Sequence, residues 1–316
     1  MAGLTAMTAL RRAAPYLWLN LACVFWAGNM VIGRALRDYL GPGLIVSLRG
    51  ALSLVVLAVL LRFLRRDDEP PLREDFWRLC FMAFSGVAGF QGVFYLGLRY
   101  TDAINAALMN AAGPLVALAL AYLVLRTVVR PVQWFGALLS LVGIGVILSA
   151  GSLERLARLH FNGGDLLLLG SMVLWGAYSI AGRAVMRRRS VLSVTALTSA
   201  LSLLMVAPWG LWEFATTEPL FTPWVWQALA FIAVFVGVGA LLAWNAGVKA
   251  VGASEAMAFM NMTPVYTVAL STLLLHEPMR THQLTGAVLV VGGSLLAALG
   301  PQWLQRLRRA PATESS

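Results

Sequence analysis

Apolar residues run along this chain in long stretches with few polar interruptions, at about 16–33, 44–64, 76–97, 103–125, 132–150, 165–186, 191–212, 224–247, 253–275 and 282–300. Crossing a bilayer core takes roughly 20 mostly apolar residues in a helix. Strands of a membrane barrel alternate over about ten residues, and these runs are longer and continuously apolar. An open strand or loop in lipid would leave backbone groups unpaired. The pattern predicts an all-α integral membrane protein with ten transmembrane helices.

The stretches repeat at an offset of 149 to 150 residues. Trp26, Gly33 and Arg34 recur as Trp175, Gly182 and Arg183. Gly97, Ala103, Ala106 and Pro114 recur as Gly247, Ala253, Ala256 and Pro264. Arg130, Gln133, Gly136 and Gly143 recur as Arg280, Gln283, Gly286 and Gly293. Each copy holds five helices, an odd number, so the copies face opposite ways across the membrane. The expectation is two inverted five-helix repeats, 16–150 and 165–300, with short tails at 1–15 and 301–316. The connector near 151–164 carries Leu153, Leu156 and Leu159 at helical spacing, which fits either an interfacial helix or a plain linker.

Charge sets the orientation. Of the 24 basic residues, 23 are arginine and Lys249 is the one lysine. With the N-terminus inside, 17 fall on the cytoplasmic side and six outside, and Arg49 lies within a span. The positive-inside bias predicts cytoplasmic N- and C-termini. Arg11 and Arg12 before an apolar run resemble a signal peptide, but that run reaches Ile32 without a clean cleavage site and has a second copy later. The net charge of +10 raises nucleic acid as a partner, yet the arginines sit at helix ends with no basic stripe, so none is expected.

The composition, 59% hydrophobic and 12% charged against about 25% charged in soluble domains, leaves no room for a soluble domain. Cys23 and Cys80 lie in or beside apolar runs and predict neither disulfide nor metal site. Richness in Arg, Ala, Gly and Pro points to GC-rich coding and a bacterial plasma (inner) membrane.

The duplicated Trp-x6-Gly-Arg element, Arg49 early in the second helix, Pro114 and Pro264 midway along the fourth and ninth, and Leu275-His276-Glu277-Pro278 together resemble the drug/metabolite transporter superfamily, in its EamA-type branch. The resemblance covers about Pro15 to Pro301. It implies a cavity between helices 1–4 and 6–9, with 5 and 10 peripheral. It also implies transport of amino acids and other small metabolites, mostly as export; some members move nucleotide sugars or lipid-linked sugars. The chain departs at Arg126-Thr127-Val128, where the family often has an acidic residue.

Polar and aromatic residues inside the spans are the candidate substrate-binding set. Pro114 and Pro264 free the carbonyls of Asn110 and Met260 at mid-depth, for a ligand or only to kink the helix; Asn110 and Asn261 add amides nearby. Arg49 faces the cavity or snorkels to the headgroups. Trp26 and Trp175 lie too deep for an aromatic belt. Asn29, Gln91, Tyr95, Tyr178, Trp244 and Asn245 either line the same space or bond between helices. Glu255 is a candidate coupling residue or one half of an interfacial ion pair with Lys249. Gly136, Ser140, Gly143, Gly286, Gly292 and Gly293 read as packing seams, within the fold or at a dimer contact.

No Walker loop and no acid–base or nucleophile constellation is present, so no ATP drive, enzymatic activity, cofactor or metal is expected. The reading is a secondary transporter exporting amino acids or related amphiphilic solutes by alternating access. The alternatives are a lipid-linked sugar or nucleotide-sugar translocator and, further off, a membrane enzyme or sensor. Its partners would be the bilayer, a small-molecule substrate and a proton or other coupling ion; monomer and homodimer stay open.

Overall fold

The computed structural model describes residues 2–36, 38–64, 69–98, 100–101, 108–152, 154, 157–158, 162–275 and 279–309. Helix α1 is Ala2–Leu36 and α2 is Pro42–Leu64. A rod α3 over 72–98 contains a π-helical segment, Phe84–Ala88. Then come α4 (Gly113–Leu123), α5 (Pro131–Leu148), α6 (Gly163–Val185) and α7 (Val191–Thr216). Helix α8 (Pro223–Val251) carries a second π segment, Ile232–Ala240. A rod α9 over 253–275 is followed by α10, Thr281–Arg309. No strand occurs among the described residues, and six of the helices (α2, α5, α6, α7, α8 and α10, the last over Thr281–Gly300) are long and apolar enough to cross a membrane. Helices α1 and α10 run further toward the ends than the apolar pattern predicts.

The helix starts follow local chemistry. Asn162 caps α6, its Oδ1 accepting from the Gly164 and Asp165 amides, while Asp165 accepts from the Asn162 amide. The hydroxyls of Ser190 and Thr222 cap α7 and α8. The duplicated Arg-x2-Gln gives one cap twice. Gln133 accepts from the Arg130 amide at 3.0 Å, and Gln283 accepts from the Arg280 amide at 2.8 Å. The π segments of α3 and α8 are repeat-related as well.

Repeat-related helices pack antiparallel. Gly136 of α5 lies against Gly293 and Ala297 of α10, and Gly143 lies against Gly286 and Val290. Each glycine thus meets the partner of the other, as a two-fold axis between the copies requires. Helices α2 and α7 repeat this arrangement: Gly43 touches Trp209, and Gly50 faces Leu203. Small residues allow these close approaches. A Cβ added at Gly292 would meet nothing within 4 Å, so this glycine lies outside the seam.

The two ends of the bundle are fastened differently. At one end Asp75, fully buried, accepts from Arg189 Nε at 2.9 Å. Arg189 also donates to the Pro70 and Pro71 carbonyls at 2.8 and 2.9 Å and lies 3.5 Å from Glu69, while its neighbour Arg188 pairs with Glu74. At the opposite end the corresponding contacts are the Leu220 amide on the Tyr39 carbonyl at 3.0 Å and the Leu44 amide on Glu213 at 2.9 Å.

Candidate functional site

Where α1, α3, α6 and α8 converge, aromatic rings from both repeats form a nest. The Trp26 ring lies 5.6 Å from Trp175, edge-on, and 5.2 Å from Trp244. Trp175 also contacts Phe90 at 5.5 Å, Tyr178 at 5.1 Å and Trp244 at 5.6 Å. Room for Tyr178 comes from Gly86, where a Cβ would stand 2.3 Å from the tyrosine ring.

Most polar atoms here are satisfied. The Tyr178 hydroxyl donates to Asn245 Oδ1 at 3.0 Å, and Asn245 Nδ2 donates to Thr195 Oγ1 at 2.9 Å, tying α6, α8 and α7 together. Trp244 Nε1 donates to Ser179 Oγ at 3.3 Å. Trp175 is an exception: 5% exposed, its Nε1 donor has no acceptor among the described residues. A buried unpaired donor costs about 1–3 kcal/mol, and a ring pair returns about 0.5–1.5. Four ring contacts outweigh one orphan donor, so packing holds the indole with its N–H still available.

Gln91 Oε1 and Asn110 Oδ1 are also buried, with no donor among the described residues. Gln91 adjoins Phe90, which packs on Trp175, and Asn110 lies three residues before Gly113, which meets Met172 of α6. An unpaired indole donor on an aromatic wall suits a solute with an apolar body and a polar end.

The other candidates fall elsewhere. Asn261 is buried, with Nδ2 donating to the Ala111 carbonyl at 3.0 Å and to Ser140 Oγ at 2.9 Å; it braces the broken start of α4. That break precedes Pro114, in the first turn of α4, and Pro264 follows a 3-10 turn, Phe259–Asn261. Asn29 is half-buried one turn from Trp26. Arg49 is half-buried on α2 and engaged with its surroundings. The side chain of Tyr95, the His276-Glu277-Pro278 step and the connector leucines lie outside the described residues. Glu255 accepts from the Tyr16 hydroxyl at 3.5 Å, and Lys249 turns instead to the Arg189 carbonyl, so the Glu255–Lys249 pair does not form. Phe90 escaped the sequence reading, although Gly86 one turn earlier marks the same helix face.

A family model described as the EamA-like transporter family matches twice, over residues 13–149 and 162–299. The chain belongs to the EamA-like transporter family. Among relatives of this EamA-like transporter, the uncharacterized transporter YyaM of Bacillus subtilis is 30% identical over 290 residues, 90% of this chain and 93% of that one. YetK of the same organism, also named an uncharacterized transporter, is 24% identical, covering 92% of this chain and 88% of its own length. A solved crystal structure, described only as that of a protein, aligns with a TM-score of 0.76 at 20% identity, covering 93% of this chain and 99% of its own, which shows a shared fold.

Proposed function

We propose that this EamA-like transporter is a secondary transporter that carries amino acids or related amphiphilic metabolites out across the bacterial inner membrane by alternating access. Ten crossings, the six long apolar helices with α1, α3, α4 and α9, would leave both termini on the arginine-rich cytoplasmic side. The observation that carries the reading is the buried Trp175 Nε1, which lies among rings from both repeats and has no acceptor among the described residues. A binding site at the interface of inverted repeats is what rocking of one copy against the other would expose to each side in turn. The unlike fastenings of the two ends support this reading, because each must open in its own half of the cycle.

The test is metabolite profiling inside and outside cells with and without the protein, followed by flux of the enriched solute in proteoliposomes. Trp175→Phe keeps the ring and deletes the donor. One neutral hydrogen bond, worth about 0.5–1.5 kcal/mol, corresponds to a roughly 2- to 10-fold rise in KM with normal membrane insertion. Flux of lipid-linked or nucleotide sugars, with no small metabolite displaced, would replace the metabolite reading.

A further inference from the structure

A cleft of about 500 Å³ opens at the arginine-rich end, outside the aromatic nest. Its polar lining includes Arg183, Arg187, Gln133, Thr127, Ser254 and Glu255. The last turn of α6 and the turn that follows it sort their four arginines into two pairs. Arg188 and Arg189 are taken by Glu74, Asp75 and Glu69. Arg183 and Arg187 face the cleft, and among the described residues neither guanidinium makes a hydrogen bond or ion pair. The single acid in the lining, Glu255, is already approached by the Tyr16 hydroxyl.

The position of Arg183 is built into the backbone. Gly252, between α8 and α9, has φ +99°, a conformation L side chains rarely adopt. A Cβ there would stand 2.6 Å from Arg183 Nη1, so the bare glycine is the seat of the guanidinium. On the other wall, Arg126 at φ +50° folds the chain back after α4, and the Thr127 amide and hydroxyl both donate to the Ala121 carbonyl. Part of the lining is apolar and exposed: Leu125 and, at 89%, Val128. A purely aqueous vestibule has no need of such a lining, whereas lipid tails would cover it.

We propose that this cleft binds the phosphate group of an anionic amphiphile, with Arg183 and Arg187 as its ligands and the apolar tail lying along the end of α4. Guanidinium matches phosphate geometry with paired donors, and the partial burial of Arg183 limits screening of its attraction, while Arg187 is exposed. The site does not depend on the transport reading, and Trp175 has no part in it.

The full chain is reconstituted in nanodiscs of phosphatidylcholine alone or with phosphatidylglycerol, and thermal unfolding and lipid retention are measured. Phosphatidylglycerol should raise the unfolding temperature of the unaltered chain. Arg183→Gln with Arg187→Gln should weaken retention by about tenfold or more, since hydrogen bonds to charged groups are the strong class. The same double variant should unfold normally in phosphatidylcholine, because neither guanidinium has a partner to lose among the described residues. Inorganic phosphate added to phosphatidylcholine discs separates the sources: a shift that the double variant abolishes keeps the site and makes free phosphate compounds its ligand. An equal response of the unaltered chain and the double variant, or no response to either probe, overturns the proposal. Gly252→Ala, read by the same retention assay, should mimic the loss by unseating Arg183.

Discussion

Replacing Arg189 by Gln should destabilise the protein far more than the same change at Arg188, one residue away. The side chains of Arg189 and Asp75 are 4% and 0% exposed, whereas those of Arg188 and Glu74 are 46% and 40% exposed. Breaking a buried pair by removing one partner costs about 3–5 kcal/mol, because the other charge is left uncompensated. After Arg189→Gln the Asp75 carboxylate retains Arg78 at 3.4 Å and Arg188 at 3.7 Å, both longer contacts. The loss should therefore sit near the lower end, about 3 kcal/mol. Arg188→Gln breaks a solvent-screened pair with Glu74, of the kind that often contributes nothing measurable, and only a long 3.7 Å contact to Asp75. Thermal unfolding in nanodiscs compares the two, and a cycle with Asp75→Asn isolates the coupling. The double variant Arg189→Gln with Asp75→Asn should be less destabilised than the sum of the singles by at least about 1 kcal/mol. Equal destabilisation by the two arginine changes, or strict additivity in the cycle, would refute the reasoning.

Adjacent glycines in α10 should respond with opposite signs. A Cβ at Gly293 would lie 2.4 Å from the Ser140 amide nitrogen and 2.6 Å from the Gly136 carbonyl oxygen, so Gly293→Ala forces α5 and α10 apart at about 1–3 kcal/mol. Gly292→Ala meets open space and should gain up to about 1 kcal/mol of helix propensity, both read as unfolding temperatures. Acid should loosen the arginine-rich end. Burial alone would raise the Glu69 carboxyl, but hydrogen bonds from Ser193 and Ser190 and the charge of Arg189 hold it below its ordinary 4.5. A carboxyl depressed in the fold contributes stability in full above the ordinary value and loses it as pH falls through the folded one. Unfolding temperature should decline below about pH 4.5, and Glu69→Gln should flatten part of that decline.

Periodicity and duplication were legible in the chain itself. Most apolar runs lie within helices, to within a residue or two, because lipid admits few other backbones, although the described α4, Gly113–Leu123, is much shorter than its run of 103–125. The 150-residue echo of Gly136 and Gly143 in Gly286 and Gly293 already holds the two-fold seam. Repeat-related Trp26 and Trp175 are visible too, since an indole ten residues into an apolar run cannot be a surface anchor. Which polar residues remain unpaired is another matter, because it depends on partners far away in sequence. Asn261 and Asn110 lie one residue out of register between the copies, yet one closes on Ala111 and Ser140 while the other keeps a carbonyl with no donor among the described residues. Arg183 and Arg189 likewise lie close together along the chain. Only the fold brings Asp75 to the second and a bare glycine to the first, because ion pairing and close approach are set by distances across helices, not by spacing along one.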